Sequence, residues 1–162
     1  MRIVDIQNNE LDCQCVGCAI AAGEFTPPGG FIAETASFIL HQDPEVPIKG
    51  FLIVASKKLI QSLAEMSLEE VQELFGLVYR ARQALQRLVD IQAFTLIQEE
   101  RSAHFHLWLL PRYAWMDGKF AHSLTSIREM MQSTKENRKT PEAVQEILAG
   151  VELLRKEIAL KS

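Results

Sequence analysis

An α+β fold, with hairpin-linked strands in one sheet and helices gathered apart from them, is what the sequence predicts. Three observations carry it. The run "FLIVAS" at residues 51–56 is apolar enough for a strand at a sheet centre. Residues 68–89 place Leu68, Val71, Leu74, Val78, Ala81 and Leu85 at three- and four-residue spacings, which predicts a long amphipathic helix. "IQAFTLIQEE" and "AHFHLWLLPR" are strand-like runs separated by a short polar stretch, the spacing of a hairpin.

The remaining elements follow in order. Residues 13–23 read as a short helix or turn ending at Gly23, before the breaker cluster "TPPGG". "FIAETASFILHQ" gives two short strands or one bent strand, and "DPEVPIKG" a turn-rich connection to the central strand. Ser62–Glu65 and Ser67–Glu70 are consecutive capping-box patterns, so a short helical turn should precede the long helix. Pro111 is expected to end ladder pairing. A helix over 121–135 and another after Thr140-Pro141 follow, the latter with Thr as N-cap and Pro at its first position. The expected division is a domain over 1–115 and a C-terminal helical extension over 116–162, whose apolar stripe must dock on the same domain or on a dimer partner.

Bulk properties narrow the function. The chain has 162 residues, 48% of them hydrophobic and 23% charged, which suits a globular core and excludes extensive disorder. A formal charge of -4 offers no basic footprint for duplex nucleic acid. No apolar run reaches the roughly 20 residues of a membrane helix, and the N-terminus lacks the apolar segment of a secretion signal, so a cytoplasmic location is expected. Cys13, Cys15 and Cys18 are then expected as reduced thiols. Cys15-x-x-Cys18 is half of a zinc-site pattern, and without a second C-x-x-C it makes zinc a minor expectation beside small side chains packed in a turn.

The chemistry concentrates in "SAHFHLWLLPR", residues 102–112. Strand alternation puts Ser102, His104, His106, Trp108 and Leu110 on one face and Ala103, Phe105, Leu107 and Leu109 on the other. Two imidazoles and an indole on one face suggest that it opens onto a ligand, a metal or solvent. As metal ligands, His104 and His106 would form an H-x-H pair completed by a cysteine or His122.

"HFHLWLLPR" resembles the signature of the histidine-triad family of nucleotide hydrolases and transferases, in which three histidines alternate with apolar residues ahead of Pro-Arg. "CVGCAIAAGE" is similar to the family's opening, and "FILHQDPEVPIKGFLIVASKKLIQSLAEMSLEE" to its central block; the likeness spans roughly residues 13–115. The resemblance implies an antiparallel sheet of about five strands, one long helix, and a homodimer. It implies hydrolysis of a nucleoside polyphosphate, of the diadenosine tetraphosphate type, or of a nucleoside phosphoramidate. His106 would be the nucleophile that forms a nucleotidyl-histidine, and His104 would shape the site.

Ser102, Trp108, Arg112, His41 and Asp43 are carried over as substrate-binding positions, with no cofactor required beyond the zinc considered above. The departures are specific. Trp108 stands where the third histidine belongs, and an indole donates one N–H but cannot shuttle a proton. "EERS" replaces the polar segment that cradles phosphate, with Glu99 and Glu100 expected to repel an anion and only Ser102 and the Arg101 guanidinium able to substitute. His41 occupies the place of an acidic residue that holds ribose hydroxyls, with Asp43 two positions on. A nucleotide-binding module of the same fold with weak or no turnover is the alternative.

Overall fold

The computed structural model describes residues 1–88, 90–120 and 123–160, with the backbone alone for Ser123. The chain opens with a hairpin not predicted from the sequence, β1 (Arg2–Val4) against β2 (Glu10–Asp12). Three-residue strands carry no readable alternation. The loop between them is held by the buried Asp5 carboxylate, which accepts from the backbone N–H groups of Gln7 and Asn9, each at 2.8 Å.

α1 (Val16–Ala21) follows, with Cys15 as N-cap: its sulfur accepts from the Cys18 N–H at 3.2 Å. A five-stranded antiparallel sheet then forms from β3 (Phe31–Glu34), β4 (Phe38–Gln42), β5 (Leu52–Ser56), β6 (Ala93–Gln98) and β7 (His106–Arg112), in the order β3-β4-β5-β7-β6. β5 is central and buried throughout, as its apolar run requires.

The predicted α+β class is the observed one. α2 (Leu68–Leu88) covers one face of the sheet, where Leu74, Leu77, Ala81 and Leu85 meet Leu40, Val54, Leu107 and Leu109 in the main core. Both capping boxes form. Ser62 and Glu65 cap a short 3-10 turn, and the Ser67 and Glu70 side chains exchange bonds with each other's backbone N–H at 3.2 and 2.8 Å.

α3 (Ser123–Asn137) borders a second apolar cluster containing Phe51, Leu110, Phe120 and Met130. α4 (Pro141–Ala159) starts at Thr140, whose hydroxyl accepts from Ala143 N–H at 3.2 Å. Its Val151, Leu154 and Ile158 enter the main core, and Arg155 donates to the carbonyls of Gly29 and Phe31 ahead of and within β3. No helix among the described residues is long and apolar enough to cross a membrane.

Two expectations need correction. Pro111 does not end pairing: β7 runs on to Arg112 and pairs Pro111 with Phe94. Pairing with β5 stops at Leu109, so at Pro111 only the ladder with the edge strand β6 remains. Conversely, the ladder starts at His106, and Ser102–His104 form a bend ahead of it. Facing survives this shortening, because Phe105 enters the α2-side core while His104 turns to the opposite side.

Candidate functional site

The face of the sheet away from α2 forms the floor of a cleft with a volume of about 250 Å³. Register builds that floor. Ile53 on β5 pairs with His41 on β4 and with Trp108 on β7, so the imidazole and the indole flank one isoleucine. One step along, Ala55 pairs with His106. A methyl group beside the imidazole leaves depth there that a larger side chain would fill. Cys15, Gly17 and Ile20, at and after the start of α1, form a wall, and Ser102 and His104 approach from the bend before β7.

His106 is held in one tautomer. Its Nδ1 lies 3.0 Å from the carbonyl oxygen of His104, which can only accept, so in the neutral ring Nδ1 is the nitrogen that carries the proton. Ser102 Oγ donates to the same carbonyl at 2.9 Å and stands 3.3 Å from His106 Nδ1, bracing the pair. Trp108 tilts against His106 at 39° with ring centroids 5.8 Å apart, and meets Phe51 edge-on at 5.6 Å. The indole is thus packed between His106 and the second core.

His41 is buried. Its Nδ1 donates to the Gln42 carbonyl at 2.8 Å, and Nε2 has no partner. Burial lowers its pKa from 6.5 to about 4, overriding the carbonyl, and the neighbouring His106 lowers it further. Asp43, also buried, accepts from the Glu45 and Val46 N–H groups at 2.9 and 2.8 Å. Desolvation still raises its carboxyl from 3.8 to about 6. His41 at neutral pH is an uncharged ring, a different object from the carboxylate it replaces in the resemblance.

Arg112 is not brought to the cleft. Its guanidinium is buried below it, donating to the Phe120 carbonyl at 2.6 Å, with Asp117 at 3.6 Å. Arg101 is exposed and lies 3.7 Å from Glu99, away from the lining, while Glu100 accepts from Ser62 Oγ at 2.5 Å.

The two half-patterns considered as metal ligands, Cys15-x-x-Cys18 and His104, come together in a thiol–imidazole cluster. The ligand atoms of Cys15, Cys18 and His104 all lie within 4.8 Å of one another, close enough to bind a metal ion. His104 is buried, with Nε2 2.6 Å from the Ser56 carbonyl. The proton therefore sits on Nε2, and the Nδ1 lone pair faces Cys18 Sγ at 3.3 Å and Cys15 Sγ at 3.7 Å. This donor chemistry, two sulfurs and an unprotonated imidazole nitrogen, fits zinc.

Gly17 makes room for the ring, since a Cβ there would stand 2.8 Å from His104 Cγ. The Cys15 sulfur beside it pushes the Cys18 thiol up to about 11, with desolvation adding to the rise, so a metal would have to displace that proton. The cysteines' partner is thus His104, while His106, the other half of the expected H-x-H pair, turns its Nδ1 to a carbonyl. His122 lies outside the described residues.

No family model matches the sequence, and no curated protein matches it. Solved structures do match. A histidine triad nucleotide-binding protein from Sulfolobus tokodaii aligns with a TM-score of 0.64 at 20% identity, over 90% of this chain and 93% of that one. A zinc-bound histidine triad family protein from Mycobacterium smegmatis aligns at 0.63 and 19%, over 91% and 95%. A HIT family protein from Bacillus subtilis aligns at 0.57 and 21%, over 86% and 96%. The chain therefore has the histidine-triad fold.

Proposed function

We propose that the protein binds a nucleotide in the cleft and hydrolyses it through a covalent nucleotidyl-histidine on His106. The observation that carries this reading is the His106 Nδ1 to His104 carbonyl bond, which in the neutral ring leaves Nε2 as the free nitrogen, beside the small Ala55. In the first step Nε2 attacks the α-phosphorus; an N–P bond forms, and the P–O bond to the leaving group breaks with its electron pair. In the second, water attacks the same phosphorus, the N–P bond breaks back to the imidazole, and the water proton passes to solvent. The names of the Sulfolobus and Mycobacterium proteins agree with such a ligand and with a zinc ion held by Cys15, Cys18 and His104; when bound, the ion would brace α1 against the bend before β7.

Trp108 argues for one substrate class over another. A phosphoramidate leaves as an amine and needs a proton, which an indole cannot deliver. A polyphosphate leaves as a stable anion and does not. The favoured substrate is accordingly a nucleoside polyphosphate of the diadenosine type.

The second reading is a binding module without turnover. It is favoured by the same indole and by the absence of any lysine or arginine among the described lining residues. Titrating AMP while following tryptophan fluorescence, then assaying release of AMP from diadenosine tetraphosphate, separates the two. Binding with turnover supports the hydrolase, and binding alone the module.

The working form is proposed to be a homodimer. Leu68, Phe75 and Tyr79 on α2 are 73%, 48% and 63% exposed, and Leu96 on the edge strand β6 is 50% exposed, apolar side chains that a partner subunit would cover.

A further inference from the structure

The three described histidines all line the cleft, and their nitrogens are committed differently. His104 points Nε2 at the Ser56 carbonyl, 2.6 Å away, and Nδ1 at the Cys18 sulfur, 3.3 Å away. His106 gives Nδ1 to the His104 carbonyl, and the proposed function sets its Nε2 against phosphorus. His41 gives Nδ1 to the Gln42 carbonyl at 2.8 Å, which leaves Nε2. Among the described residues, that nitrogen is the one buried side-chain acceptor without a hydrogen-bond partner. Such atoms are rare in folded chains, because burial removes water and nothing replaces it. A donor on a bound ligand accounts for this one.

The ring's state decides which ligand group fits. With Nδ1 donating, Nε2 of the neutral ring can only accept, and burial keeps the ring neutral by lowering its pKa to about 4. An ionised phosphate oxygen carries no hydrogen and would meet this lone pair with its own. The surroundings select in the same direction. Asp43 and Glu45 line the cleft with His41, and among the described lining residues there is no lysine or arginine. Asp43 Oδ1 already accepts from the Glu45 and Val46 N–H groups, and Glu45 is paired with Lys135 at 2.9 Å. Register sets His41 across Ile53 from Trp108, whose fluorescence can report on a ligand there.

We propose that His41 determines specificity, its Nε2 accepting one hydrogen from a hydroxyl or amino group on the uncharged part of the bound ligand. A carboxylate at this position would accept from two donors at once; the ring accepts from one, so a single donor on the ligand is read. That the ligand is a nucleotide rests on the proposed function, whereas the one-donor requirement does not.

Two measurements on the full chain test this. In a long-range proton–nitrogen NMR spectrum, the His41 Nε2 resonance, assigned by its loss in His41→Gln, should lie in the unprotonated range. It should move to lower frequency with AMP or adenosine and stay in place with inorganic phosphate. Of three AMP analogues lacking the 2′-hydroxyl, the 3′-hydroxyl or the base amino group, one should leave the resonance in place and bind about tenfold or more weakly by tryptophan quenching. The other two should move it as AMP does, and the one that fails identifies the donor as sugar or base. His41→Phe should erase that preference, and His41→Gln, which carries an acceptor of similar reach, should keep it. A resonance unmoved by both AMP and adenosine, moved by phosphate, or moved alike by all three analogues would overturn the proposal, whether or not His41→Phe folds. A preference that survives in His41→Phe would also overturn it. Quenching by AMP with an unmoved resonance would reject the role of His41 while keeping the nucleotide reading; a shift with adenosine but no quenching by AMP would do the reverse.

Discussion

The His106 imidazole donates through Nδ1 to the backbone carbonyl of His104, 3.0 Å away, so the orientation of one histidine is set by the main chain of the other. The same His104 points its own ring at Cys15 and Cys18 and anchors it on Ser56. Backbone and side chain of one residue therefore link the thiol cluster to His106.

Replacing His106 by alanine should lower nucleotide hydrolysis by about a hundredfold or more, because the proposed nucleophile is lost. The ring is only partly buried, so folding should be unaffected. Single-turnover assays paired with circular dichroism check both halves; equal rates for mutant and wild type would rule out the covalent route.

Trp108→His restores a proton carrier beside His106 and should raise turnover, by about tenfold or more on a phosphoramidate and by less on a polyphosphate, whose leaving group needs no proton. Comparing the two substrates on wild type and mutant is the measurement. A mutant that binds AMP more weakly and gains no turnover would mean that the indole serves to fill the binding site.

His41 and Asp43 should oppose each other in the pH dependence of stability. The folded state lowers His41 from 6.5 to about 4, so the stability tied to its neutral ring is present above 6.5 and lost as pH falls towards 4. It raises Asp43 from 3.8 to about 6, so the stability tied to its protonated carboxyl is present below 3.8 and lost as pH rises through 6. At about 1.4 kcal/mol per unit each swing is about 3 kcal/mol, and in the wild type they largely cancel. Urea unfolding should show Asp43→Asn losing stability on acidification from about pH 6.5 to about pH 4.5, and His41→Gln gaining it. Parallel profiles for the two variants would contradict the assignment.

Phe75→Glu, on the exposed stripe of α2, should convert a dimer into a monomer, since a carboxylate in an apolar contact is left unpaired. Light scattering at micromolar concentration decides this. A wild-type mass near 18.3 kDa would remove the dimer from the account.

The elements that the sequence made legible were those written in long periods or in strong local chemistry. The stripe of α2, the apolar β5, the two capping boxes and Thr140-Pro141 each fix a local structure without help from the rest of the chain. The alternation around His106 was legible too, and it placed Trp108 and His106 on the cleft side.

What could not be read depended on distant partners. Cys15 and Cys18 meet His104 across more than eighty intervening residues, and Gly17 is small because of that ring, so neither fact leaves a mark in local sequence. Arg112 follows the motif at the expected distance, yet its guanidinium is drawn to the Phe120 carbonyl eight residues on, a contact made only once the chain turns after β7. The β1–β2 hairpin was missed because its strands are too short for a period, although Asp5 and Asn9 around its turn were a usable signal.

The most direct test of the account is to look for the covalent intermediate. Protein mixed with diadenosine tetraphosphate, quenched in alkali within a single turnover and analysed by peptide mass spectrometry, should carry one adenylyl group on the peptide containing His106, and none in His106→Ala. Turnover of the wild type with no adduct on that peptide, or with the adduct on another residue, would contradict it.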